Sequence, residues 1–336
     1  MTAIDNGTAA GARRGGPAGG RPGAGPDGRR RREHRRERRS GGGLPYALIL
    51  PATAVLLGVV GYPLVRLVQL ALQNANDYLH LANPALIKYI GFATFQKVLS
   101  DPTFWTSVER SLIFTAEVVV ASIVLALAVA ALLGRVSGWV RVTVLTVLMF
   151  VWAIPAIVSG TLFRWLFANN GGAVDYLCYL LGGKGMLHHD WFVDANQGLY
   201  VVVAAVVVWG ALPFLVLGFH AAIGQVPREL TEAARIDGAS AWQGFRHVVL
   251  PVIRPFLGIA TALSFIWDFQ VFPQIMALRA GSPEAGYQVI GVYLYEKGVG
   301  SSHYSSSAVI SIAMILLMLT ALVLYIRQAL RTGESD

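Results

Sequence analysis

Residues 225–255 read QVPRELTEAARIDGASAWQGFRHVVLPVIRP, a polar stretch set between two long apolar runs. Its local signals describe a compact helical element. Pro227 falls where a first-turn proline is tolerated, Glu229 complements the positive end of the helix dipole, and Gly238 is placed to end the helix in the left-handed conformation. Val226, Leu230, Ala233 and Ala234 fall on one face at helical spacing. A second helix is predicted from Ser240, with Gln243 as its capping-box partner, a stripe of Trp242, Phe245 and Val249, and a stop before Pro251. Joined at Asp237-Gly238, the two helices make a rigid, protruding knob. Ala233 and Ala234 let another surface approach the backbone, and Arg228, Glu229, Glu232 and Arg235 supply a charged rim. A helix pair lying flat on lipid is the alternative. That arrangement prefers Lys and Arg along its whole polar face, whereas Glu229, Glu232 and Asp237 share this one.

Outward from the knob the chain becomes strongly apolar. Of 336 residues, 55% are hydrophobic and 14% charged, with mean hydropathy +0.55. Soluble domains carry about 25% charge, so the balance points to a bilayer-embedded protein. The net charge of +8 is concentrated at one end, because residues 1–39 hold 11 Arg against Asp5, Asp27, Glu33 and Glu37. That tail, 1–43, is rich in Gly, Pro and Arg and lacks apolar periodicity, so it is expected to be disordered. It reads as a solvated cytoplasmic tail that helps orient the first span; an arm for nucleic acid or lipid headgroups is the alternative. The apolar run behind it is too long for a signal-peptide core. One cysteine, Cys178, excludes an intrachain disulfide and a Cys-based zinc site.

The fold class expected is all-α: a polytopic membrane helical bundle with six transmembrane helices. The spans fall near 44–72, 109–133, 139–167, 198–223, 254–278 and 307–327, each close to the ~20 residues that cross a hydrocarbon core. Residues 73–108 form an extracytoplasmic loop, 109–330 a five-helix core that includes the 225–255 loop, and 331–336 a cytoplasmic tail. Prolines 51, 63, 155 and 213 lie in the spans, Pro255 bounds the fifth and Pro273 interrupts it. Each frees a backbone carbonyl that neighbours must satisfy, which favours a packed bundle around a pathway. With both termini inside, the cytoplasmic segments gather the tail arginines with Arg135, Arg141, Arg228, Arg235, Arg246, Arg254, Arg327 and Arg331. The other side holds Lys88, Lys97, Arg110, Lys184, Arg279 and Lys297. The positive-inside rule therefore puts the knob in the cytoplasm, and the usage of Gly, Ala, Arg and Pro with very little Lys suggests a bacterial genome.

Polarity inside the fifth span marks the candidate pathway. Asp268, Gln270 and Gln274 lie beside Phe265, Trp267, Phe269 and Phe272 in LSFIWDFQVFPQIMAL. A central Asp costs about 2.5–3.5 kcal/mol to insert, so it should face a cavity or a partner. Aromatic faces with amide and carboxylate acceptors suit a sugar, while a packing role for the same residues is the alternative. Trp209, Phe214 and Ser311 are weaker candidates of that kind, and Glu117 and Arg164 read as structural.

The string Glu232-Ala233-Ala234, Asp237-Gly238-Ala239, Leu250-Pro251 and Pro255 resembles the EAA loop of binding-protein-dependent ABC importer permeases, in the form of their carbohydrate-uptake branch. Tyr62-Pro63, GFATFQKVLSDPTFW at 91–105, Arg164-Trp165-Leu166-Phe167 and Phe269-Gln270-Val271-Phe272 extend the resemblance to the maltose-type first permease subunit over most of 44–330. The resemblance implies a coupling helix around Glu232–Gly238, with Leu230, Glu232, Ala233, Ala234, Arg235, Asp237 and Gly238 seated on a cytoplasmic ABC ATPase dimer. It also implies a heterodimer with a second permease and an extracytoplasmic sugar-binding protein that delivers cargo. Two departures stand out: Arg110-Ser111 where the family often has Asn-Thr, and a loosely similar loop at 279–306.

No G-x-x-x-x-G-K-[ST] occurs, since Gly182-Gly183-Lys184-Gly185 lacks both spacing and hydroxyl. ATP and Mg are therefore expected on the partner ATPase, with no cofactor, catalytic residue or metal in this chain. The substrate-binding candidates are Asp268, Phe269, Gln270, Phe272, Gln274 and Trp209, the partners include membrane lipid, and no nucleic acid is expected. A stand-alone secondary transporter is a rival reading, though no internal repeat is visible. A membrane metalloenzyme built on His188, His189, Asp190 and Asp194 is a further one; no H-E-x-x-H accompanies them.

Overall fold

The structure is a computed structural model that describes residues 44–183 and 185–333, without the side chains of 44–47, 81, 84 and 328–333. The Arg-rich tail and Lys184, both singled out above, lie outside the described residues. Two units divide at Leu64 and Val65. In the first, residues 48–60 are helical and exposed throughout, with Pro51 inside the helix and a wide π-turn at Leu57–Gly61. A continuous apolar surface of this kind is what a lipid-facing span presents.

We number the helices in chain order: α1 (Leu48–Ala71), α2 (Ala93–Leu99), α3 (Pro102–Leu133), α4 (Gly138–Trp152), α5 (Ala156–Leu166), α6 (Ala173–Leu180), α7 (Ala195–Gly224), α8 (Arg228–Ile236), α9 (Ala241–Asp268), α10 (Pro273–Leu278), α11 (Ile290–Tyr295) and α12 (Tyr304–Gly333). Five of them, α1, α3, α7, α9 and α12, are long and apolar enough to cross a bilayer, and the bent pair α4–α5 makes up to six. The described residues are almost entirely helical, with one isolated bridge between Gln73 and Tyr89.

The bundle is organised around α3. Its buried residues enter three separate clusters, Phe104 and Val108 in one, Phe114 and Val118 in a second, Ala126, Ala130 and Leu133 in a third. Helix α7 packs along it, and its Val202, Val203, Val206, Leu215, Val216 and Phe219 are buried. Asp101 accepts from Thr103 N–H at 2.9 Å to cap α3, and Pro102 occupies its first turn. That start lies seven residues before the 109 read from hydropathy, because a capped polar turn carries a helix beyond its apolar run.

Two spans differ from the sequence expectation. The stretch 139–167, taken as one helix, breaks at Ala153–Pro155 and turns by 105° between α4 and α5. Proline lacks an N–H and disfavours helical geometry in the residue before it, so Pro155 becomes the N-cap of α5. The fifth span does not start at 254. Helix α9 begins at Ala241, runs through a π-turn at Phe245–Val249, and continues past Pro251 and Pro255 to Asp268. The second helix of the knob therefore does not stop before Pro251: the wide turn omits the hydrogen bond that Pro251 cannot donate. The chain breaks instead at 269–272 and resumes at Pro273 as α10, so Asp268 closes a helix rather than sitting within one.

Candidate functional site

The knob is held by short-range bonds. Pro227 caps α8 with extended geometry, Glu229 lies in its first turn and Arg235 in its last. Gly238 has φ +80°, a conformation that costs a residue with a Cβ. Around it Ala239 N–H donates to Ala234 O at 2.9 Å and Gly238 N–H to Arg235 O at 3.1 Å, the paired bonds of a Schellman end. Two residues on, Ser240 N–H donates to Gln243 Oε1 at 2.8 Å and Gln243 N–H to Ser240 Oγ at 3.3 Å. The capping box predicted from sequence is formed.

What the knob presents is unburied. No residue of α8 is buried. Leu230, Glu232, Ala233, Arg235, Asp237 and Gly238 are exposed and Ala234 is half-buried, while Val226 alone of the predicted apolar face is buried. Ile236, 86% exposed, and Trp242, 66% exposed and stacked on Phe245 at 5.9 Å, add apolar surface. Neither Arg228, Glu229, Glu232, Arg235 nor Asp237 forms an ion pair among the described residues. Beneath them a groove of about 380 Å³ runs between Ala234, Asp237, Gln243 and His247.

The second candidate region is a cavity of about 350 Å³ at the two chain breaks. Its walls come from the α4–α5 bend (Trp152, Ser159), from α7 (Gly210, Phe214), from the end of α9 (Ser264, Trp267, Asp268), from the break after it (Gln270) and from the first turn of α10 (Gln274). Asp268 is 6% exposed, and its Oδ2, like Gln274 Oε1, has no hydrogen-bond partner among the described residues. Gln270 Nε2 donates to Ile266 O at 3.0 Å, leaving its carbonyl oxygen free to accept. Phe214 lies between two tryptophans, stacked with Trp152 at 6.3 Å and edge-on to Trp267 at 5.3 Å. Both tryptophans are more than half exposed. Helices α5 and α10 meet tightly at this wall, where a Cβ on Gly160 would lie 2.6 Å from the Ala277 Cβ.

Three sequence candidates are elsewhere. Phe269 is 1% exposed and stacks on Phe265 at 5.6 Å within the core. Phe272 packs on Tyr295 at 5.0 Å and Trp209 on Phe163 at 5.5 Å, neither in the cavity wall. In a single helix Asp268 and Phe272 would share a face; the break after Asp268 turns Phe269 and Phe272 away. Conversely Trp152, Ser159 and Ser264 line the cavity unpredicted. Pro155 close behind Trp152 was a usable signal, since a broken helix near a pathway often forms its wall.

At the Asp101 end of α3, the departures from the family pattern are structural ties. Arg110 donates to Ala285 O at 2.8 Å and Gln288 O at 3.1 Å, and the Ser111 hydroxyl accepts from Ile290 N–H at 2.7 Å. Tyr293 donates to Asp101 at 2.7 Å. Burial pushes the Asp101 carboxyl up, but the Tyr293 and Thr103 hydrogen bonds and the charge of Lys297 outweigh it and hold it below its ordinary value. Arg279 pairs with Glu284 and lies over the rings of Phe192 and Tyr287 at 5.3 and 4.9 Å. The hydrogen bond from Arg279 holds the Glu284 carboxyl below its usual range. The histidine cluster is dispersed: His189 Nε2 lies 3.0 Å from Gln197 Oε1, His188 Nδ1 3.2 Å from Asn169 O, and Asp194 caps Asn196 at 2.9 Å.

A solvent-facing knob at one end of α9 and a polar-lipped cavity at the other are the two parts a transport permease needs. Residues 122–332 match the family described as binding-protein-dependent transport system inner membrane component, and the chain belongs to it. It is 35% identical over 298 residues to the diacetylchitobiose uptake system permease protein DasB of Streptomyces coelicolor, spanning 89% of this chain and 90% of that one. It is 28% identical over 295 residues to the arabinooligosaccharides transport system permease protein AraP of Halalkalibacterium halodurans, spanning 87% and 90%. In fold it is similar to a chain from the crystal structure of a bacterial ABC transporter importing the acidic polysaccharide alginate. That match has TM-score 0.71 and 20% identity, and covers 90% of this chain and 99% of that chain.

Proposed function

We propose that this chain is the permease subunit of an ATP-driven importer for an oligosaccharide. On this reading it forms the pathway with a second permease, its termini and knob are cytoplasmic, and α8 seats on an ATPase dimer that binds ATP and Mg. A sugar-binding protein delivers cargo from the opposite side. The observation that carries the reading is the cavity. It joins acceptors on Asp268, Gln270 and Gln274 to the ring faces of Trp152, Phe214 and Trp267, the combination a carbohydrate needs for its hydroxyl rim and apolar CH faces. The sugar named for two relatives, diacetylchitobiose for one and arabinooligosaccharides for the other, supports the substrate class. Lys and Arg placement supports the orientation, and the exposed apolar residues Leu230, Ile236 and Trp242 support docking of a protein on the knob.

In mechanism, ATP-driven closure of the two ATPases draws the α8 knobs of the two permeases together. The Schellman end and capping box make each knob stiff enough to pass that displacement to α9, which is continuous from Ala241 to Asp268. The helix that begins in the knob thus ends in the cavity. The test is uptake into proteoliposomes holding the full complex, with a panel of chito-, arabino- and gluco-oligosaccharides. Saturable, ATP-dependent uptake of one class is expected. Uptake without ATP, or of non-sugars alone, overturns the reading.

A further inference from the structure

The apolar run of α3 carries one acidic side chain that neither the knob nor the cavity uses. Residues 111–133 read SLIFTAEVVVASIVLALAVAALL, and Glu117 is the one charged residue among them. It is exposed, and it makes no hydrogen bond or ion pair among the described residues. Arg110, at the polar level of this helix end, is two turns away, roughly 10 Å along the axis, farther than a glutamate side chain reaches. Glu117 therefore cannot escape to the interface, and an ionisable side chain facing acyl chains is costly enough to require a partner or an aqueous space. The cavity does not supply one, since no residue of α3 lines it.

The surroundings of Glu117 fit a helix. Ile113 (52% exposed), Ala121, Val124 (62% exposed) and Ala128 continue its line along α3, all unburied in this chain. The opposite side of α3 is consumed by the three core clusters. Alanines 121 and 128, one heptad apart, let another helix backbone come close. Tyr200 on α7 lies within Coulombic range of Glu117, Glu109 and Arg110, with its ring 6.3 Å from Phe114. An apolar stripe with small residues and one unmatched carboxylate suits a spanning helix that brings a hydrogen-bond donor, and it offers a sugar no stacking surface.

We propose that this face of α3 is where a spanning helix of the second permease docks, with a donor side chain placed against the Glu117 carboxylate. The inference rests on the heterodimer reading above. It adds which surface is used and what chemistry the partner helix carries.

The test uses the full chain with Cys178 replaced by Ser, co-expressed with the second permease and the ATPase. Glu117→Cys and, as control, Val142→Cys on α4 (64% exposed) are labelled in membranes with a lipid-soluble pyrene maleimide. Co-expression of the second permease should protect position 117 at least about fivefold and leave position 142 unchanged. In the otherwise native chain Glu117→Lys should lower co-purification of the second permease roughly 3- to 20-fold, the range for one interhelical polar contact, whereas Glu117→Gln should retain it. Failure of the unaltered chain to co-purify a second permease overturns the heterodimer reading and this inference together. Co-purification with equal labelling of position 117 in the presence and absence of the partner overturns this inference alone, as does protection confined to position 142.

Discussion

The knob and the cavity treat polar groups in opposite ways. In the knob the charged side chains stand in solvent, and the backbone ends are satisfied locally, by bonds spanning three to five residues at Gly238 and Ser240. In the cavity Asp268 and Gln274 are drawn inward, and each retains an oxygen that no group among the described residues satisfies. A buried unpaired acceptor is costly, so it persists where binding a ligand or water offsets it. On the proposed function, the knob holds its shape while a partner presses on it and the cavity receives the sugar.

Variants in the two regions should therefore fail differently. The largest effect is expected from Gly238→Val, which forces a β-branched residue into φ +80°, and from Glu232→Lys on the exposed rim. Each should lower uptake by about a hundredfold or more while membrane insertion and sugar affinity persist, because only the passage of force is lost. A weakened affinity in either variant would break the separation. Asp268→Ala should act on the other side of it, raising the KM of sugar-dependent transport roughly 10- to 150-fold, the worth of a hydrogen bond to a charged group, with the complex still assembled. Unchanged kinetics would remove Asp268 from the pathway. Gly160→Ala places a Cβ 2.6 Å from Ala277 and should destabilise the cavity wall by about 1–3 kcal/mol, read as a lowered Tm that added sugar partly restores. Smallest is Ser240→Ala, which removes half of the capping box and should cost about 1 kcal/mol, slowing uptake a fewfold at unchanged KM.

The same contrast explains what could be read in advance. Proline, Glu229, Gly238 and the Ser240–Gln243 pair each act within one helical turn, so the knob was legible residue by residue. The error there was its end: Pro251 reads as a stop, and the structure passes it with a π-turn. The cavity was half legible. Asp268, Gln270 and Gln274 declared themselves as polar residues in an apolar run, but the break after Asp268 turns Phe269 and Phe272 away from it, and Trp209 on α7 packs on Phe163 instead. Trp152 and Ser159 join it only because α5 turns by 105° from α4.

By itself the sequence determined an all-helical membrane protein, the number of its apolar runs, and a polar helical knob between the last two but one. Apolar length and local capping are properties of neighbouring residues. Tertiary structure decided which prolines break a helix. Pro213 and Pro255 are carried inside α7 and α9, whereas Pro155 and Pro273 start new helices. Proline always deletes one hydrogen bond, but whether the chain bends or parts there depends on what packs against it. Here the close approach of α5 to α10 at Gly160 holds the two breaks together, and the cavity lies between them.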